Sequence, residues 1–153
     1  MENYNIFVDL AADIDSEIID KYNIKFIPMN YSIDDKEYIS NSYLKESEMK
    51  HFYDEMRNGK ITKTSQITPF KYVEFLEEYA KNGENVFYLV LSSGLSNTYN
   101  SALLAKQELE ETYPGFKMMV VDSLGATGGI GVLAQIAAIN RENGMSLEDN
   151  FKF

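Results

Sequence analysis

Hydrophobic positions along the chain follow two spacings. Tyr4-Asn5-Ile6-Phe7-Val8, Val86-Phe87-Tyr88-Leu89-Val90-Leu91 and Phe116–Val121 are short, nearly continuous apolar runs with polar or turn residues at their ends. Each predicts a buried strand. Ile24–Ile33 predicts a further strand, interrupted by Pro28, which has no N–H to give to a ladder. Asp34-Asp35-Lys36 signals a turn, and Glu37-Tyr38-Ile39 returns as a hairpin arm. Lys60–Ile67 reads as a polar connection.

Elsewhere the spacing changes to that of helices. Asp13 or Asp15 caps a short helix over Ser16–Tyr22, which buries Ile18 and Ile19 and stops at Asn23. Met49, Phe52, Tyr53 and Met56 form one apolar face of a helix that reaches Arg57, with Asn41-Ser42 or Ser47 as its cap. Thr68 caps a helix with Pro69 at its first position, and Asn82-Gly83 ends it. A helix begins at Tyr99 and runs to about Glu111. Gly128-Gly129-Ile130-Gly131 leads into a helix over Val132–Asn143, whose glycines suggest close packing on its neighbours. Ser146-Leu147-Glu148-Asp149 has the form of a capping box opening one more helix.

Alternating strands and helices argue an α/β fold: a mainly parallel sheet flanked by helices, in a three-layer, Rossmann-like domain. At 153 residues the chain fits one such domain. Its net charge of −10 argues against nucleic acid, which wants a basic surface. Cysteine is absent, so neither disulfides nor thiolate metal sites arise, and no metal or other cofactor is expected. No apolar run approaches the roughly 18 residues that span a bilayer. The acidic start, with Glu2 and Asp9, lacks the basic region of a signal peptide, so a cytoplasmic protein is expected.

Two hydroxyl clusters precede helices: Thr64-Ser65-Gln66-Ile67-Thr68 and Ser92-Ser93-Gly94-Leu95-Ser96. Capping explains much of the first, and Thr68 is read as a cap alone. The second exceeds what one cap requires. It follows the central strand, so its hydroxyls and amides should gather at a helix N-terminus, a place that suits a carboxylate or phosphate. Turnover is harder to support. A serine nucleophile needs a positioned base, and the Gly-x-Ser-x-Gly elbow is absent. The sole histidine, His51, falls within a predicted helix. Asp9 and Asp122 end predicted strands, where the ordinary use of aspartate is to accept loop amides. A serine acyl hydrolase using Ser93 and a phosphotransferase using Asp9 and Asp13 stand as alternatives to simple binding. The Gly128–Gly131 run does not match a dinucleotide fingerprint.

Taken in order, these pieces resemble the DegV family of bacterial fatty-acid-binding proteins. The matching points are Phe7-Val8-Asp9-Leu10-Ala11-Ala12-Asp13, Lys21–Pro28, Phe52-Tyr53, Lys63-Thr64-Ser65-Gln66, Leu91–Ala102 and Val121-Asp122-Ser123. The chain departs from the family pattern at Leu10, Asn97 and Ile67, where Ser, Gly and Pro are common. The resemblance implies a carrier of a long-chain fatty acid. Its carboxylate is expected to contact Thr64 or Ser65 and Ser93, with Ser92, Gly94 and Ser96 shaping the loop. Some members present the acid to a kinase that forms acyl phosphate, so a fatty acid kinase subunit is a candidate partner. Such a carrier is not itself an enzyme. Family members are nearly twice as long, so residues 1–153 correspond to the N-terminal domain, and the lipid-covering C-terminal domain is expected to be absent. An apolar face left uncovered makes self-association an outcome to watch for.

Overall fold

The computed structural model describes residues 3–40 and 46–153. The first half of the chain holds β1 (Tyr4–Asp9), α1 (Ser16–Tyr22), β2 (Lys25–Ile27), β3 (Met29–Ile33), β4 (Lys36–Ser40), α2 (Glu46–Arg57) and β5 (Thr62–Thr64). The second half holds α3 (Pro69–Lys81), β6 (Asn85–Val90), α4 (Thr98–Thr112), β7 (Met118–Asp122), α5 (Gly128–Glu142) and α6 (Leu147–Lys152). The main sheet is parallel, with strand order β2-β1-β6-β7.

The continuous apolar runs arise because both faces of this sheet are covered. Side chains alternate along each strand. Phe7, Val86, Tyr88 and Val90 therefore meet Tyr72 and Leu76 of α3 and Ala102, Ala105 and Leu109 of α4. Tyr4, Ile6, Val8, Phe87 and Leu89 meet Tyr22 of α1, Ile130, Ala134 and Ala138 of α5 and Leu147 of α6. The expected three layers are present. Among the described residues, no helix is long and apolar enough to cross a membrane.

The single strand expected over Ile24–Ile33 is two strands in two sheets. β2 pairs in parallel with β1 as far as Asp9↔Ile27, and Pro28 follows directly. Beyond it, β3 is the middle strand of a separate antiparallel sheet ordered β4-β3-β5. The polar stretch Lys60–Ile67 contains β5, paired through Tyr31↔Thr64 and Ile33↔Thr62. Thr-Lys-Thr has no apolar alternation to announce it. It is an edge strand held by its ladder rather than by a buried face.

Helix starts also moved. Asp15, not Asp13, caps α1, its Oδ1 accepting the Glu17 N–H at 2.9 Å. Thr68 and Ser146 cap α3 and α6 as expected. For α2, Ser47 lies inside the helix, and Asn41-Ser42 lie outside the described residues. α5 begins at Gly128 rather than Val132, which places the glycines within its first turns. A Cβ on Gly131 would stand 2.3 Å from the Asp13 carbonyl oxygen, so α5 crosses the β1–α1 loop in direct contact.

Candidate functional site

The carboxyl ends of β1 and β6 lie side by side, the usual ligand position in a parallel α/β sheet. The end of β5 from the small sheet stands beside them. Together they enclose a cleft of about 250 Å³, lined in part by Asp9, Met29, Thr64, Ser65, Gln66, Leu91, Leu95, Ser96 and Thr98. The hydroxyls of Thr64, Ser65 and Ser96, on distant parts of the sequence, thus share one space.

Asp9 lines the cleft and is 3% exposed. Its Oδ1 accepts the Ala11 N–H at 2.9 Å and its Oδ2 the Leu91 N–H at 2.8 Å. Burial raises its carboxyl above the ordinary value, against the two amides that lower it. The buried Tyr72 and Tyr88 hydroxyls bond to one another at 2.8 Å. Burial first, and the Asp9 charge in addition, push both above the ordinary tyrosine range.

The Ser92–Thr98 turn is tightly self-bonded. Ser92 N–H donates to the Gly125 carbonyl, and the N–H groups of Leu95 and Ser96 to the Ser92 carbonyl. Gly94 N–H donates to Ser92 Oγ at 3.2 Å, and Thr98 N–H to Ser96 Oγ at 3.2 Å. Ser93 N–H donates to Asp122 Oδ1 at 3.1 Å, as does Leu124 N–H. Desolvation would raise the Asp122 carboxyl, but the Ser93 hydroxyl and these two amides hold it below its ordinary value. The amides of residues 92–96 are thus engaged within the turn and its neighbours, while at the start of α4 Ser96 Oγ holds the Thr98 N–H and Asn97 supplies no side-chain cap. Asn97 at φ −78° takes no left-handed conformation, so its place in a family glycine position costs nothing here.

Of the expected site residues, Thr64, Ser65 and Ser96 line the cleft. Ser92, Ser93 and Gly94 form the turn between two cleft residues, Leu91 and Leu95, without lining it themselves. Ser93 is exposed and Ser92 is buried. His51 is exposed on α2, and Asp9 and Asp122 tie loops. Among the described residues, no group of three or more His, Cys, Asp or Glu could hold a metal ion.

Met29 and Thr64 also line a larger groove of about 560 Å³ between the small sheet, α2 and the β1–α1 loop. Its walls include Leu10, Ile14, Tyr31, Met49, Phe52 and Tyr53. Phe52 meets Tyr31 edge-on, with ring centroids 5.7 Å apart. The apolar face of α2 was legible in the sequence, but nothing there said that it faced β3. Gln66 and Thr98 were missed as cleft residues, because their role depends on which loops meet.

A model of the DegV family, described as an uncharacterised protein family, matches residues 3–152. The chain belongs to the DegV family. A DegV domain-containing protein of Clostridium perfringens is 38% identical over 155 aligned residues, covering 100% of this chain and 52% of that protein. This DegV chain thus spans about half the length of the curated relatives it matches. Among solved structures, a DegV lipid-binding protein from Thermotoga maritima is 32% identical, with a TM-score of 0.82 over 99% of this chain and 52% of its own. Another Thermotoga maritima protein, described as revealing fatty acid binding function, is 32% identical with a TM-score of 0.83, over 99% of this chain and 54% of its own. A stearic acid-binding protein from Eubacterium ventriosum is 25% identical, with a TM-score of 0.82 over 97% and 51%.

Proposed function

We propose that this chain is the head-group and tail-binding half of a fatty-acid carrier working in the cytoplasm. The carrying observation is that the two spaces adjoin, sharing Met29 and Thr64 in their linings. Thr64, Ser65 and Ser96 line one space with uncharged hydroxyl side chains, and Met29 and Thr64 also line the apolar, aromatic groove beside it. That sequence of chemistry fits an amphiphile with a small acidic head and a hydrocarbon tail. Each buried CH₂ contributes about 0.8 kcal/mol, so the groove supplies affinity and the hydroxyls supply orientation. The fatty-acid-binding relatives support the same reading.

In this reading Thr64 and Ser65 donate to the carboxylate, Ser93 adds its hydroxyl from the rim, and Ser92, Gly94 and Ser96 hold the turn. Binding is favoured over turnover. Both Asp9 oxygens already accept amides, and Asp122, the carboxylate that accepts the Ser93 N–H, is held below its ordinary value and so is a weak base. A fatty acid kinase subunit that phosphorylates the presented acid is the partner that the resemblance suggests. The half of the relatives' length beyond this match would cover the lipid.

The test is native mass spectrometry after delipidation and incubation with oleate. Thr64→Val and Ser93→Ala should each lower the bound fraction and leave the fold intact by circular dichroism. Unchanged occupancy in both variants would remove the carboxylate clamp from this cleft.

A further inference from the structure

We infer that Gln66 is a positioning residue, whose side-chain bond to Ser101 sets the distance between the two hydroxyl loops. The inference rests on the carboxylate-clamp reading above.

The two sides of the clamp stand on different foundations. Thr64 and Ser65 are fixed to the small sheet, through Tyr31↔Thr64 and a Ser65 N–H bond to the Asn30 carbonyl at 3.3 Å. Ser92–Ser96 follows β6 of the main sheet. Among the described residues, the two sheets share no strand pairing. Their relative placement must come from links outside the ladders. Gln66, the residue after Ser65, donates from Nε2 to Ser101 Oγ at 2.7 Å, across 35 positions of sequence. Ser101 is 3% exposed and lies one turn into α4, just after the second loop. A buried hydroxyl on α4 thus bonds a residue that lines the cleft with both Ser65 and Ser96.

The next residue reinforces this reading. Ile67 is 6% exposed and belongs to the core under α3 and α4, so it holds the chain near α4 without regard to direction. A hydrogen bond is directional. Gln66 therefore adds what Ile67 lacks, a fixed orientation of the Thr64-Ser65 hydroxyls toward Ser96.

The test uses the 153-residue chain with cis-parinaric acid and its methyl ester, measured by fluorescence, in wild type, Gln66→Ala, Ser101→Ala and the double variant. Each single variant should bind the acid about threefold to tenfold more weakly, as for the loss of one ordinary hydrogen bond. The double variant should lose no more, and ester binding should not move. Equal losses for acid and ester, or losses that add, would overturn the inference, since a general packing role predicts them. Amide hydrogen exchange reads the tie without ligand. Gln66→Ala should speed exchange at Ser65 and at Gly94–Ser96 while β1 and β6 stay protected, and unchanged exchange at both loops would overturn the inference. A wild type that fails to prefer the acid over the ester would overturn the carboxylate reading itself, and exchange would still report the tie.

Discussion

Asp9 and Leu91 are bonded across two neighbouring strands, Asp9 Oδ2 accepting the Leu91 N–H at 2.8 Å at the point where both strands end. The other oxygen holds Ala11, so one buried carboxylate fixes the exits of β1 and β6 together. Asp9→Ala leaves two N–H groups without that acceptor, at about 1–3 kcal/mol for each one that water cannot reach. The same group makes stability depend on pH. Its folded value lies above the unfolded 3.8, so the folded chain keeps a proton that the unfolded chain has released. Between those two values its contribution falls as pH rises. Asp9→Asn should erase that slope in urea unfolding series at stepped pH. Parallel curves for wild type and variant would mean that Asp9 does not titrate in this window.

Tyr72 and Tyr88 should behave as a pair. Their hydroxyls bond to each other at 2.8 Å inside the core. Tyr72→Phe strands the Tyr88 hydroxyl and should cost about 1–3 kcal/mol. The double change to Phe should cost less than the sum of the single changes. A double-mutant cycle in urea gives the coupling, and simple additivity would refute it.

Neighbouring glycines of α5 should respond in opposite directions. Gly131→Ala drives a methyl into the Asp13 carbonyl, 2.3 Å from the ideal Cβ, and should destabilise by about 1–3 kcal/mol. Gly129→Ala meets nothing within 4 Å and should be neutral or stabilising, by up to about 1 kcal/mol of helix propensity. Thermal unfolding of the two variants decides this, and matching shifts in Tm would contradict the crossing.

Lipid binding by the 153-residue chain alone should be weak, and the chain should self-associate at high concentration. Val132, Leu133, Ile136 and Ile139 present apolar surface along α5, with Leu124 80% exposed ahead of it. Calorimetric titration with palmitate and sedimentation velocity test both points. A tight stoichiometric complex with a monomeric chain would show that this half suffices.

The main sheet was legible because its strands are buried on both faces and leave uninterrupted apolar runs, as in Val86–Leu91. The caps at Thr68 and Ser146 were legible because they are local. β5 was not, since Thr62-Lys63-Thr64 draws its stability from pairing with β3, which no local pattern records. The serines were recognisable as a cluster, but not the direction in which each points. Ser92 Oγ turns back to Gly94 N–H, and Ser93 is engaged by Asp122, an aspartate read only as a loop tie. Which loops face one another is a property of the assembled sheets.

Pro28 ends one ladder and leaves the next to start afresh. Under the carrier reading, that break separates two heritable traits. Substitutions at Tyr31 or Phe52 can reshape the hydrocarbon slot without shifting the register of the parallel strands, whose ends set out the acid-capturing loop. A lineage can therefore change the lipids it favours while the machinery that recognises an acid stays in place.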